Sequence, residues 1–117
     1  MSDQSVSVAD LKMRVKDFVH NRDWERYHNP KDLAESICIE AAELLEVFQW
    51  TSVEKARTFR DDSTKLHRVT EELADILIYC LSMANAMGIE VSSIVTEKLA
   101  IDSMKYPVEK YKGKAYP

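Results

Sequence analysis

Glycine and proline are scarce in this chain, with two and three copies among 117 residues. Turns that need left-handed backbone or a fixed φ therefore have few places to form. Runs of β-branched residues are also few, and together these absences predict an all-α fold. No apolar stretch reaches the ~18 residues that a bilayer span requires, so no membrane segment is expected. Positive charge is not in excess: 20 acids outnumber 16 Lys and Arg, for a net charge of −4. That balance argues against a general nucleic-acid binder, which needs a basic face, and any anionic substrate must be met by local cations or a metal. Cysteine is limited to Cys38 and Cys80. Two isolated thiols are too few for a thiolate metal site, and their places on apolar helix faces read as free buried thiols in a reducing cytoplasm. The polar opening, Met1–Ser7, does not read as a signal peptide. The length suits one domain, 1–117, with a modest core.

What is present is helical periodicity. A first helix is expected from about Ser7 to His20, with Val8, Leu11, Val15, Phe18 and Val19 on one face. A polar, aromatic connection, Asn21–His28, follows. Asn29 and Pro30 read as the cap and first residue of a second helix that continues to about Trp50, with Leu33, Ile37, Ala41, Leu44, Leu45 and Phe48 inward. Thr51–Glu54 has the form of a capping box that starts a short helix to about Arg60, and Asp61–Thr64 is the next break. A long helix from about Lys65 to Met87 stops at Gly88. Its apolar residues lie almost all round, from Val69 through Ile76, Ile78 and Leu81 to Ala84, which predicts burial on several sides and hence an oligomer. A last helix is expected over Val91–Tyr106, ending before Pro107, with a Lys- and Tyr-rich mobile tail over 108–117.

Two carboxylate pairs stand out within this pattern: Glu40-Ala-Ala-Glu43 and Glu72-Leu-Ala-Asp75. Three-residue spacing puts both acids of each pair on one helix face. At ~100° per residue Glu40 falls between Leu33, Leu44 and Val47, and Glu72 between Ile76, Tyr79 and Met83, at the edge of apolar stripes. Ionised carboxylates there are costly unless something compensates them. A hard divalent cation would do so, and Mg²⁺ favours oxygen ligands. A di-iron site is disfavoured: the only Glu-x-x-His match is Glu25 to His28, and neither acid pair has a histidine.

Four segments, in order, resemble the MazG-like branch of the all-α nucleotide pyrophosphohydrolases, and within it the small dCTP pyrophosphatase-like group. They are Arg22–Pro30, Ile39–Trp50, Glu71–Tyr79 and Lys98–Pro107, within a resemblance spanning roughly Phe18 to Pro107. The resemblance implies a helical bundle of four to five helices assembling as a dimer or a dimer of dimers, with the tetramer favoured. It implies hydrolysis of nucleoside triphosphates between the α- and β-phosphates, in a house-cleaning role on the nucleotide pool. The implied magnesium ligands are Glu40, Glu43, Glu72 and Asp75, with Mn²⁺ as a substitute. The implied base-holding aromatics are Trp24, Trp50 and Tyr79, with His28 nearby, and the implied phosphate-side cations are Lys98 and Lys105, followed by Tyr106. Ile39 stands where many members have an acid, which matches the dCTP-like group better than the broader family. Asp102 stands where that group usually has Asn.

The chemistry agrees with these assignments. A triphosphate beside four carboxylates needs cations to bridge them. Glu43 and Glu46 are both candidates to orient or deprotonate the attacking water. Lys98 and Lys105, seven apart, share a helix face, and flat aromatics offer stacking surfaces worth roughly 1–3 kcal/mol per base. An ionised Asp102 only accepts hydrogen bonds, so if it faces the base it should favour the exocyclic amino groups of dCTP and dATP over the carbonyl of dTTP. The alternative reading is a catalytically inactive helical module that binds nucleotides or partners.

Overall fold

The computed structural model describes residues 1–116 and contains, among them, only helices and their connections. Six α-helices follow in order: α1 (Val8–Asn21), α2 (Pro30–Phe48), α3 (Val53–Arg57), α4 (Ser63–Met87), α5 (Val91–Lys105) and α6 (Val108–Tyr111). Short 3-10 turns occupy Glu25–Tyr27 and Thr58–Asp61. None of the helices is by itself long and apolar enough to cross a membrane.

The helix starts follow from side-chain chemistry. The Ser7 hydroxyl accepts from the Asp10 amide at 3.0 Å while the Asp10 carboxylate accepts from the Ser7 amide at 2.9 Å, a reciprocal capping box. Asn29 accepts from the Asp32 amide at 3.0 Å, with Pro30 as the first residue of α2. Asp62 caps α4 through the Lys65 amide at 3.1 Å, so α4 begins two residues earlier than the sequence suggests. Gly88 ends α4 at φ +65°, where a side chain would be strained. The box expected at Thr51–Glu54 is shifted by one: Ser52 caps α3 by accepting from the Lys55 amide at 3.1 Å, and the Thr51 hydroxyl instead turns back to the Gln49 carbonyl. Where a mobile tail is expected, the chain forms the single turn α6, whose Tyr111 meets Tyr106 edge-on at 5.2 Å. Pro117 lies outside the described residues.

α2 and α4 form the main packed pair, with α1 laid against α4. They run antiparallel: His28, just before α2, bonds Ser82 near the end of α4, while Glu40 and Glu43 halfway along α2 meet Glu72 in the first half of α4. At the far end of α4, Asn85 donates to the Lys12 carbonyl at 2.9 Å and Lys12 donates to the Ile89 carbonyl at 2.7 Å, which ties α1 to the α4–α5 corner. The apolar core is small: Val15, Val19, Leu33, Val47, Phe59 and Ala84. Phe59 stacks on Phe48 with centroids 5.2 Å apart and fastens the α3–α4 connection to α2.

Much of the expected core face is open in the single chain. Leu11, Phe18 and Leu45 are exposed, as are Leu73, Leu77 and Ile78 of α4. Cys38 and Cys80 are also exposed, not buried, because no element of this chain covers those flanks of α2 and α4. α5 has no more than marginal contact with any other helix, and its Ile94, Val95, Leu99, Ile101 and Met104 all face solvent. The consequence is an extended shape. The radius of gyration is 17.3 Å, against ~13 Å for a compact chain of this length. The accessible surface is 9394 Å², against roughly 6,500 Å² for a compact monomer.

Candidate active site

The antiparallel α2–α4 pair brings the two acid motifs together. One carboxylate oxygen each from Glu40, Glu43 and Glu72 lies within 4.8 Å of the other two. Glu40 and Glu72 are half-buried and Glu43 is exposed, so the group sits on an open face with its inner side against the helix pair. Glu40 Oε2 and Glu72 Oε2 are withdrawn from solvent and have no hydrogen-bond partner among the described residues. Such oxygens are strongly unfavourable unless a cation or proton meets them.

The protonation equilibria record the same crowding. The Glu43 pKa is raised, first by the charge of Glu72, then by burial, by its hydrogen bond to Glu72 and by the charges of Glu46 and Asp75. The Glu72 pKa is raised first by burial, then by Glu40 and by the charge of Asp75, with a smaller opposing hydrogen bond from Glu43. Asp75 is therefore close enough to act on both glutamates, although its oxygens fall outside the tight group of three, and Glu46 stands one helical turn from Glu43.

The donor set fits a hard dication. All the donors are carboxylate oxygens, drawn to within 4.8 Å of one another, and this is the ligand type that Mg²⁺ prefers. Two of the three glutamates, Glu40 and Glu72, also carry the buried oxygens that lack a hydrogen bond, and a cation held by these residues would offset that cost.

The aromatics are disposed unequally around this cluster. Tyr79 lies one turn beyond Asp75 on α4, is half-buried, and faces the His28 ring at 6.0 Å with a 30° tilt. His28 bonds through Nδ1 to the Ser82 hydroxyl at 2.7 Å, and burial holds its pKa below the ordinary value, partly countered by Glu25. Trp24 packs edge-on against Phe18 at 5.9 Å on the α1 side and is 42 % exposed. Trp50 stands free beyond the end of α2, 94 % exposed at φ +65°, a conformation a bulky residue adopts only under constraint.

The four candidates of the last segment are not brought to the acids within one chain. Lys98 instead pairs with Asp102 at 2.8 Å along α5. This raises the Lys98 pKa and gives Asp102 a partner other than a nucleobase. The Lys105 ammonium lies 5.4 Å from the Tyr106 ring centroid. Sequence reasoning also missed Ser82. It is the buried polar residue on the His28 side of α4, and its signal is a hydroxyl three residues after Tyr79 in an otherwise apolar run.

Rat dCTP pyrophosphatase 1 is 29% identical over 109 residues, 93% of this chain and 64% of that protein. The bovine dCTP pyrophosphatase 1 is 30% identical over the same shares. The chain thus spans just under two thirds of the length of these mammalian relatives. The crystal structure of a pyrophosphatase from Archaeoglobus fulgidus DSM 4304 superposes with a TM-score of 0.76 at 39% identity, covering 85% of this chain and 91% of that one. Residues 35–116, which hold all four acids of the two motifs and α5, match the profile of the MazG-like family, and the chain belongs to that family.

Proposed function

We propose that this protein is a Mg²⁺-dependent nucleoside triphosphate pyrophosphohydrolase that cleaves between the α- and β-phosphates, with dCTP and dATP as preferred substrates and a house-cleaning role. The observation that supports it most is the trio Glu40, Glu43 and Glu72, with two buried oxygens that no described residue satisfies. The relatives' names, dCTP pyrophosphatase 1 and pyrophosphatase, point the same way.

In this reading Glu40, Glu43 and Glu72, with Asp75 beside them, hold the metal; Mn²⁺ has similar oxygen preferences and substitutes. The ion supplies neutralisation of the triphosphate and polarisation of the phosphoryl group under attack. Glu46, on the same side of α2 as Glu43, accepts the proton of the attacking water when Glu43 is committed as a ligand. Tyr79, with Trp24 and Trp50, supplies flat apolar surface for the base.

The phosphate-side cations come from a second copy of the chain. At 100° per residue Lys98 and Lys105 fall in the middle of the α5 half that carries Val91, Ile94, Val95 and Ile101. A partner that buries this half takes the lysines, Asp102 and Tyr106 with it. The extended shape and excess surface support such a homo-oligomer, of which a dimer of dimers is the favoured form.

The test is pyrophosphate release from dCTP, dATP, dTTP and dGTP, with Mg²⁺, with Mn²⁺ and after chelation, in the parent and in Asp102→Asn. Metal-dependent release with kcat/KM highest for dCTP and dATP is expected. No release from any of the four refutes the hydrolytic reading, and a dTTP preference refutes the base assignment.

A further inference from the structure

Ser82 has no role in the function described so far, yet it is 4 % exposed, in the third turn of α4 after Glu72. A serine inside a helix commonly turns its hydroxyl back to the carbonyl four residues earlier. This one bonds His28 Nδ1 at 2.7 Å, across the α2–α4 boundary, and has no other protein partner among the described residues. With no second protein acceptor for the hydroxyl hydrogen, the pairing favours Ser82 as donor and Nδ1 as acceptor. That arrangement corresponds to the imidazole tautomer with its proton on Nε2.

The backbone of His28 is held as well. Its amide donates to the Glu25 carbonyl at 3.0 Å, closing the 3-10 turn, and the next residue is the Asn29 cap of α2. With both ends tied, the ring has one place to be, beside Tyr79. Tyr79 is seven residues from Glu72, hence on the same face of α4 and ~10 Å further along it. A nucleotide with its phosphates at the acids reaches Tyr79 with its nucleoside end. On the other side His28 and Ser82 line a cavity of about 370 Å³ with Lys16, Asn29 and Asn85. The imidazole is therefore a partition between that cavity and the Tyr79 face.

We infer that Ser82 is a positioning residue: by fixing the tautomer and plane of His28 it sets the Tyr79 ring for the nucleoside end of the substrate. The inference rests on the proposed hydrolysis for its kinetic part only. Ser82 acts on binding and not on the phosphoryl step, because it is two turns beyond Asp75 on α4.

The test is Ser82→Ala, read by imidazole ¹⁵N NMR of the three histidines, by thermal melting, and by steady-state kinetics with dCTP and Mg²⁺. The parent is expected to hold His28 as a single Nε2–H tautomer at neutral pH, and Ser82→Ala to release it into a mixture. The variant's KM should rise about three- to tenfold, as for one lost hydrogen bond, with kcat within about twofold. His28→Asn retains an acceptor at the Nδ1 position. It should melt like the parent yet show the same rise in KM, because the ring that meets Tyr79 is gone. An Nδ1–H tautomer in the parent, an unchanged KM in Ser82→Ala, or equal falls in kcat with no change in KM each overturns the inference. If the parent turns over no triphosphate, the hydrolytic reading fails. The tautomer and the calorimetric Kd for dCTP then decide the role of Ser82 alone.

Discussion

The sharpest residue-scale feature is the mutual repulsion of the acid cluster. Each of Glu40→Gln, Glu43→Gln, Glu72→Gln and Asp75→Asn removes a charge that the proposed metal site would use, and each is expected to lower turnover at least ~100-fold. In the metal-free protein the same changes relieve repulsion or an unpaired oxygen, so melting temperature should hold or rise. Near-parent turnover in any two of the four variants would dismiss the metal assignment. A pH dependence follows from the raised pKa values of Glu43 and Glu72. A carboxyl whose pKa is raised by folding binds more protons folded than unfolded. Stability from these groups is therefore full below about pH 4.5, their ordinary value, and is lost as pH rises through the higher folded values. Metal-free Glu43→Gln should accordingly gain in melting temperature over the parent as pH goes from about 4.5 to neutral. Differential scanning calorimetry at several pH values checks it, and a difference that shrinks over that range contradicts the assigned cause.

Among the elements, the α2–α4 pair is the scaffold and α5 is the appendage. Leu33 is fully buried at the start of α2, so Leu33→Ala should cost about 2–5 kcal/mol by chemical denaturation. That is a large share of the stability of a chain with so few buried side chains. A loss under 1 kcal/mol would show that the contact is made elsewhere. α5 has no comparable anchor within its own chain. Its apolar residues lie all round it, and Lys98 and Lys105 share a side with Val91, Ile94, Val95 and Ile101.

The whole molecule has more surface and a larger radius than a self-sufficient chain of this length. The excess of roughly 2,900 Å² per chain, about 5,800 Å² over a pair, is at the upper end of obligate interfaces. The protein is therefore expected to be an oligomer at micromolar concentration by multi-angle light scattering. Leu99→Glu, on the exposed part of α5, should shift it to smaller species and reduce turnover together. A stable monomer in the parent is the contrary result.

Sequence alone was enough for the four long helices and the acid motifs, but not for the single turn α6. Caps, a glycine stop and 3.6-residue periodicity are local properties, and they put α1, α2, α4 and α5 within two or three residues of their observed ends. The Glu40–Glu43 and Glu72–Asp75 spacings likewise declared one face each. Tertiary structure decided everything that depends on which faces meet. It drew Glu40, Glu43 and Glu72 into one group and left Asp75 at its edge, because the antiparallel register of two helices is not contained in either. It exposed Cys38, Cys80, Leu11 and Leu45, whose apolar surroundings in sequence are not covered within one chain. It held Lys98, Asp102, Lys105 and Tyr106 away from the acids, since a helix beyond a Gly88 corner goes where its partner is. And it gave Ser82 a use, because a hydrogen bond across 54 residues of chain has no signature in the local pattern of either partner.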